Sequence, residues 1–188
     1  MHKPLTGQNI AILVANGFDE VDMTHAQRAL AGLGANLKII STENGLVNSW
    51  TGSSWGHHFP TDANVSSVLA ADYDALYVPG GSRSINKLKE NAHCRRITRS
   101  FFDAGKPMMF LGCAVELLAA SERATGCTVS GDAASEAALV EAGATWSTEG
   151  MIVQTFLATG HGNIVENPLF ETFGEFFAQE AEITKQAA

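Results

Sequence analysis

The chain contains no apolar run of the roughly 18 residues that a membrane-spanning helix needs, so no such helix is expected. Its opening stretch, Met1 to Gly7, has no apolar core of the kind a secretory leader requires. Cysteine is scarce: Cys94, Cys113 and Cys127 are too few and too scattered for a disulfide framework or a paired-cysteine metal site. Reduced thiols in a cytoplasmic setting are therefore expected. Basic residues are also in the minority, 12 Lys and Arg against 20 Asp and Glu, for a formal net charge of −8. That balance argues against a general nucleic-acid surface. The densest basic group, Arg95-Arg96 with Arg99, reads as a solvated helix face. Of the six histidines only His57 and His58 adjoin, and neighbours on a strand point to opposite faces, so no metal site is expected. No internal repeat, linker or low-complexity tract is visible.

What remains is ordinary in composition and informative in order. At 188 residues, 45% hydrophobic and 17% charged, the chain fits one domain over residues 1–188 with a sizeable core. Ile10–Val14 is a continuous apolar run suited to a parallel strand covered on both faces. A helix is expected from about Asp22 to Leu33, with Val21, His25, Leu30 and Leu33 near helical spacing and Gly34 at its end. Leu37–Ile40 is a second strand. The tract from Glu43 to Pro60, with Trp50, Gly52, Trp55 and Gly56, reads as a short hairpin, its tryptophans packing the hairpin or a subunit contact. Asp74–Val78 is a third core strand, stopped by Pro79-Gly80-Gly81. A helix around Ile85–Phe102 leads to a strand at Met108–Leu111. Thr128-Val129, Ala144–Trp146 and Met151–Val153 are short strands, with a helical Ala133–Glu141 among them. A last helix runs from about Pro168 to Thr184 with Leu169, Phe173, Phe176 and Phe177 on one stripe. Strands alternating with helices imply an α/β fold in three layers around a mainly parallel sheet.

The most informative stretch is residues 105–118. An apolar run of strand length ends at Gly112, and a helical pattern begins almost at once. In an open α/β sheet such a corner lies at the carboxyl end of the strands, where ligands bind and nucleophiles are held. Here the apex reads as Gly112, and the thiol, Cys113, comes one residue late.

Four landmarks fall in order: Ile10–Gly17, Asp72-Tyr73-Asp74-Ala75-Leu76-Tyr77-Val78-Pro79-Gly80-Gly81, Gly105–Leu118, and Thr159-Gly160-His161-Gly162-Asn163. Together with Gly126–Ser130 and Ala142–Trp146 they resemble the ThiJ/PfpI superfamily, whose fold is similar to that of class I glutamine amidotransferases. The resemblance implies a flavodoxin-like three-layer sandwich with a small hairpin insertion, and a homodimer or larger homo-oligomer. It also implies a site made of an elbow cysteine, a carboxylate on the first helix, and backbone N–H donors of the Gly-Gly turn. The family's elbow commonly reads A-I-C-H-G-P-x-L-L. Aligned on Leu117-Leu118 and Gly105-Lys106-Pro107, its cysteine falls on Gly112, its histidine on Cys113, and its Gly-Pro pair on Ala114-Val115. The acidic partner falls on Asp22 in place of glutamate, a side chain reaching ~1.5 Å less far. A second frequent acid falls on Ile85. The elbow G-C-A-V-E-L-L is also similar to that of the C-terminal domain of large-subunit haem catalases, which lack the elbow cysteine; catalase activity is not implied.

Two readings of function follow. The first is a non-catalytic, homo-oligomeric stress-response, chaperone-like or ligand-sensing member with a degenerate elbow and no cofactor. The alternative is a cofactor-independent cysteine enzyme, a hydrolase, deglycase or glyoxalase type acting through Cys113 and Asp22 on carbonyl or amide substrates. A redox switch at Cys113 without turnover is a weaker third reading. As a nucleophile Cys113 would need a lowered pKa, which the helix N-terminus favours; otherwise it is a small thiol packed under the helix. Asp22 is either that thiol's partner or a helix N-cap. Gly80, Gly81, Gly112, Ala114, Glu116 and His161 are the candidate pocket and oxyanion residues. A small-molecule ligand fits this set; nucleic acid, membrane and metal are not expected.

Overall fold

Strand β1 (Asn9–Val14) shows how the molecule is layered. Its odd and even residues enter different cores: Ile10, Ile12 and Val14 pack on one side of the sheet, Ala11 and Leu13 on the other. A strand buried on both faces needs the continuous apolar run seen here. The structure, a computed structural model, describes residues 3–162 and 169–187. In chain order its strands are β1, β2 (Phe18–Asp19), β3 (Asn36–Ser41), β4 (Leu46–Trp50), β5 (Trp55–Pro60), β6 (Ala63–Asn64), β7 (Ala75–Val78), β8 (Met108–Leu111), β9 (Thr128–Val129), β10 (Thr145–Trp146), β11 (Met151–Gln154) and β12 (Leu157–Gly160). The helices are α1 (Glu20–Gly32), α2 (Ser82–Glu90), α3 (Ala92–Asp103), α4 (Glu116–Ala120), α5 (Glu136–Glu141) and α6 (Leu169–Ala187).

Seven strands form the central sheet in the order β11-β12-β8-β7-β1-β3-β6. All neighbours are parallel except β11 and β12, whose short link makes an antiparallel edge. One face is covered by α1 and α6, through Met23, Ala26, Leu30, Phe176, Phe177 and Ala181. The opposite face is covered by α2 to α5, through residues such as Ile85, Leu88, Ile97, Phe101, Leu117 and Leu139. This is the three-layer arrangement the strand–helix alternation implied, and the flavodoxin-like sandwich that the resemblance implied. The hairpin β4–β5 pairs with β2 in a separate small sheet, and Trp50 meets Trp55 edge to face at 5.4 Å within it.

Four expectations need correction. The helix expected over Ile85–Phe102 is two helices, broken at Asn91, whose side chain accepts the N–H groups of His93 and Cys94 and so starts α3 afresh. The buried stripe of α1 is Met23, Ala26 and Leu30, while Val21 is exposed. Strand β12 was not expected at all, although it is wholly buried between β8 and β11. The arginine group is not a solvated face: Arg95 donates to the Lys89 carbonyl, Arg96 to those of Val65 and Val68, and Arg99 to that of Ser121. These guanidinium groups satisfy carbonyls at helix and turn ends. Of the stripe assigned to the last helix, Pro168 and the side chains of Leu169 and Phe173 lie outside the described residues, as does Asn163.

Candidate functional site

Parallel strands that start in register also end together, so β1, β7 and β8 deliver three turns to one edge: Asn16-Gly17, Gly80-Gly81 and Gly112. Close approach explains the glycines. A Cβ on Gly80 would sit 2.7 Å from Asp22 Oδ2, and one on Gly81 would sit 2.6 Å from the Asp19 nitrogen. Gly81 also has φ +108°, which side-chain-bearing residues rarely adopt. The turns are bonded to each other, Asp19 N–H donating to Gly80 C=O at 2.9 Å.

At the elbow, β8 ends at Leu111 and Gly112 takes φ +61° before a 3₁₀ turn over Gly112–Val115. The left-handed corner is there; the side chain is not. A Cβ at Gly112 would lie 3.0 and 3.2 Å from the carboxylate oxygens of Asp132. Asp132 arrives on the turn Ser130-Gly131-Asp132, held by Ser130 N–H donating to Thr159 Oγ1 at 2.9 Å. Gly131 sits so close to the Gly112 carbonyl that a Cβ there would be 2.7 Å away. An acidic side chain therefore leans over the apex from a loop distant in sequence.

Asp22 does not cap its helix. Asp19 does, its Oδ1 accepting the N–H groups of Val21 at 2.9 Å and Asp22 at 3.0 Å. The Asp22 carboxylate instead accepts the Gly80 N–H at 2.9 Å, and the buried Tyr77 hydroxyl donates to the Asp22 backbone carbonyl at 2.9 Å. Burial is the main force on this acid, and the Asp19 and Asp132 charges add to it. Against the Gly80 N–H they push it up to about 7. Asp22 thus holds its proton far closer to neutral pH than an ordinary carboxylate does.

Cys113 is half-buried, and the Gly81 N–H faces its sulfur. The thiolate help expected from a helix N-terminus is outweighed. Burial first, then the charges of Asp132 and Glu116, push the thiol up to about 11 despite the Gly81 and Cys113 N–H groups. Among the described residues no hydrogen bond joins Cys113 to Asp22. Glu116, in the first turn of α4, is engaged elsewhere: it pairs with Lys89 and accepts the Ser135 hydroxyl at 2.7 Å. Ala114 is fully buried in the core beneath the turn. His161 follows Gly160, which registers with Leu111, and so stands one step past the strand end beside the elbow, its N–H donating to Gly150.

The structure thus brings Asp22, Gly80, Gly81, Gly112 and Cys113 to one edge, and leaves Ala114 and Glu116 in structural roles. It adds Asp132 and Asp19, which sequence spacing did not single out. Asp19 was legible as an acid just before a helix. Asp132 carried no signal, because tertiary bonds such as those between Ser130 and Thr159 bring its loop over the elbow. Two Gly-Gly donors were expected; one is already satisfied by Asp22 and the other faces a protonated thiol. Among the described residues no three His, Cys, Asp or Glu side chains are arranged to hold a metal ion.

Comparison with known proteins finds relatives in sequence and in fold. The chain is 26% identical over 152 residues to the putative cysteine protease YraA of Bacillus subtilis, covering 81% of this chain and 88% of that one. It is 26% identical over 129 residues to Catalase-1 of Neurospora crassa, 69% of this chain but 17% of the catalase. Other relatives are named as a general stress protein and as deglycases. The crystal structure of Drosophila melanogaster DJ-1beta superposes with a TM-score of 0.80 at 18% identity, covering 96% of each chain, which speaks to the fold alone. With the family match running over residues 8–168, the chain belongs to the DJ-1/PfpI family.

Proposed function

We propose that this protein is a DJ-1/PfpI member whose elbow chemistry has lapsed, acting as a homo-oligomeric stress-response, chaperone-like or ligand-sensing module. The observation that carries this reading is the apex itself. Gly112 supplies the left-handed corner without a nucleophile, and Asp132 leans over the space where that side chain would stand. The neighbouring thiol is held protonated near neutral pH, and a thiol, unlike a thiolate, is a poor nucleophile. The reading is tested by methylglyoxal and amide turnover and by the pH dependence of Cys113 alkylation. The expected result is no turnover that Cys113→Ser abolishes, and alkylation that climbs steadily past pH 9. A rate plateau near pH 7, or turnover lost in Cys113→Ser, overturns it.

One observation favours a second reading, a cysteine enzyme. The Cys113 sulfur already faces the Gly81 N–H, and an acid with a pKa of about 7, Asp22 at the start of α1, accepts the adjacent Gly80 N–H. A proton acceptor of that strength suits general-base work. Under this reading Asp22→Asn and Cys113→Ser lose turnover together.

A further inference from the structure

A hollow lies at the other end of the sheet from the elbow. About 340 Å³ opens beneath the amino ends of β1, β7 and β8, where α6 crosses over them. Its walls are mostly apolar, from Leu5, Ile10, Ala75, Pro107, Phe177 and Ala181. Leu5, Ile10 and Phe177 are each almost wholly buried, so the walls are core side chains. That volume and lining fit the range of small-molecule sites.

The polar groups at this hollow are few and unbalanced. Lys106 is held by two carbonyls, donating to Ala70 at 2.8 Å and Tyr73 at 2.6 Å. It is half-buried, and among the described residues no carboxylate lies within ion-pair distance of it. Lys185, in the last turn of α6, stands at the same hollow, and among the described residues no carboxylate lies within ion-pair distance of it. An acid, Asp74, also stands on the lining, exposed, its Oδ2 accepting the Asn9 N–H at 2.7 Å. Two carbonyls orient the Lys106 ammonium but do not neutralise it, and a half-buried cation gains most from an anion placed beside it.

We propose that this hollow is a binding site for a small amphipathic carboxylate, its anionic head at Lys106 and Lys185 and its aliphatic tail against Leu5, Ile10, Phe177 and Ala181. At the ~30 Å³ that a water-sized group occupies, the space holds about eleven such groups. A medium-chain carboxylate matches that size. The site does not depend on the reading of the elbow.

Three eight-carbon probes separate the possibilities: octanoate, octanol and octylammonium, each titrated by calorimetry and by thermal shift. Octanoate is expected to bind one per chain, and about tenfold more tightly than either other probe. Lys185→Met, an exposed change, should lower octanoate affinity several-fold without altering circular dichroism. Ala181→Phe, which fills the hollow, should abolish binding; Ala104→Trp at the rim is the second filling variant should that one fail to fold. Asp22→Asn should leave octanoate binding unchanged. No octanoate binding at millimolar concentration, equal binding of the three probes, or binding undiminished in the filled variants overturns the proposal.

Discussion

Two residues carry most of the chemistry at the elbow, and each makes a measurable prediction. Gly112 at φ +61° is needed for the corner, and alanine there meets both the left-handed penalty and the Asp132 carboxylate. Asp132 is exposed and can swing away, so backbone strain should dominate. Gly112→Ala is therefore expected to cost about 1–2 kcal/mol in urea unfolding. Adding Asp132→Ala should recover only a minor share of that loss; full recovery would mean the contact, not the backbone, sets the cost. Asp22 gives a pH signature. Its folded pKa of about 7 stands above its ordinary 3.8, so the folded state holds this proton more tightly. The resulting stability is fully present below pH 3.8 and is lost as pH rises through 7. Asp22→Asn keeps an acceptor for the Gly80 N–H and has no charge to bury. It should match the wild type near pH 4 and exceed it by ~4 kcal/mol at pH 8, read as the difference between two pH-resolved urea series.

Among the elements, the β4–β5 hairpin is fastened by one side chain on α1. Glu20 accepts the hydroxyl of Ser49, the His57 N–H at 2.9 Å, and His57 Nδ1 at 2.7 Å. Gly56 makes this possible, because a Cβ there would run into the Glu20 carboxylate and the Ser49 hydroxyl. The Ser49 hydroxyl and then the His57 N–H hold Glu20 down at about 2, below its ordinary 4.5. This anchor is fully present above pH 4.5 and is lost as pH falls through 2. Gly56→Ala should release it at neutral pH. The expected outcome is faster hydrogen exchange at the His57 amide and a shift in tryptophan emission as Trp50 and Trp55 separate. The Arg83 guanidinium lies 4.1 Å from the Trp50 ring centre, and Arg83→Ala tests whether that stacking alone could hold the hairpin. Unchanged exchange in Gly56→Ala would show that the cross-strand bonds suffice without Glu20. The break at Asn91 belongs to this scale too: composition over Ile85–Phe102 is helical throughout, and only the side-chain cap at Asn91 divides it.

Across the whole molecule, two cores share one sheet, and all three free thiols lie in or against the core on the α2–α5 side, at different depths. Cys94 is fully buried and pushed up to about 12 by its burial, whereas Cys113 is only half-buried. In native protein a thiol reagent should label Cys113 first, and Cys94 only at the rate of global unfolding, with urea accelerating Cys94 far more than Cys113. Equal labelling of both would mean that the α2–α5 side opens independently of the sheet. The sequence was sufficient for the layered fold, because continuous apolar runs at Ile10–Val14, Ala75–Val78 and Met108–Leu111 can be satisfied only by burial on both faces. It also marked Gly80, Gly81, Gly112 and Cys113, since strand ends and glycine turns are local signals, whereas Asp22 was joined to them only through the resemblance to the ThiJ/PfpI superfamily. It missed β12, whose small residues Ala158, Thr159 and Gly160 carry little strand signal although packing buries them completely. It misread the arginines as a solvated face, since which carbonyls lie within reach is a matter of packing alone. Local pattern decides where a chain turns and which side chains seek the interior. Only the tertiary structure decided that Asp132 leans over the elbow and that the Cys113 thiol is held protonated, because charge and burial act through space between residues far apart in the chain.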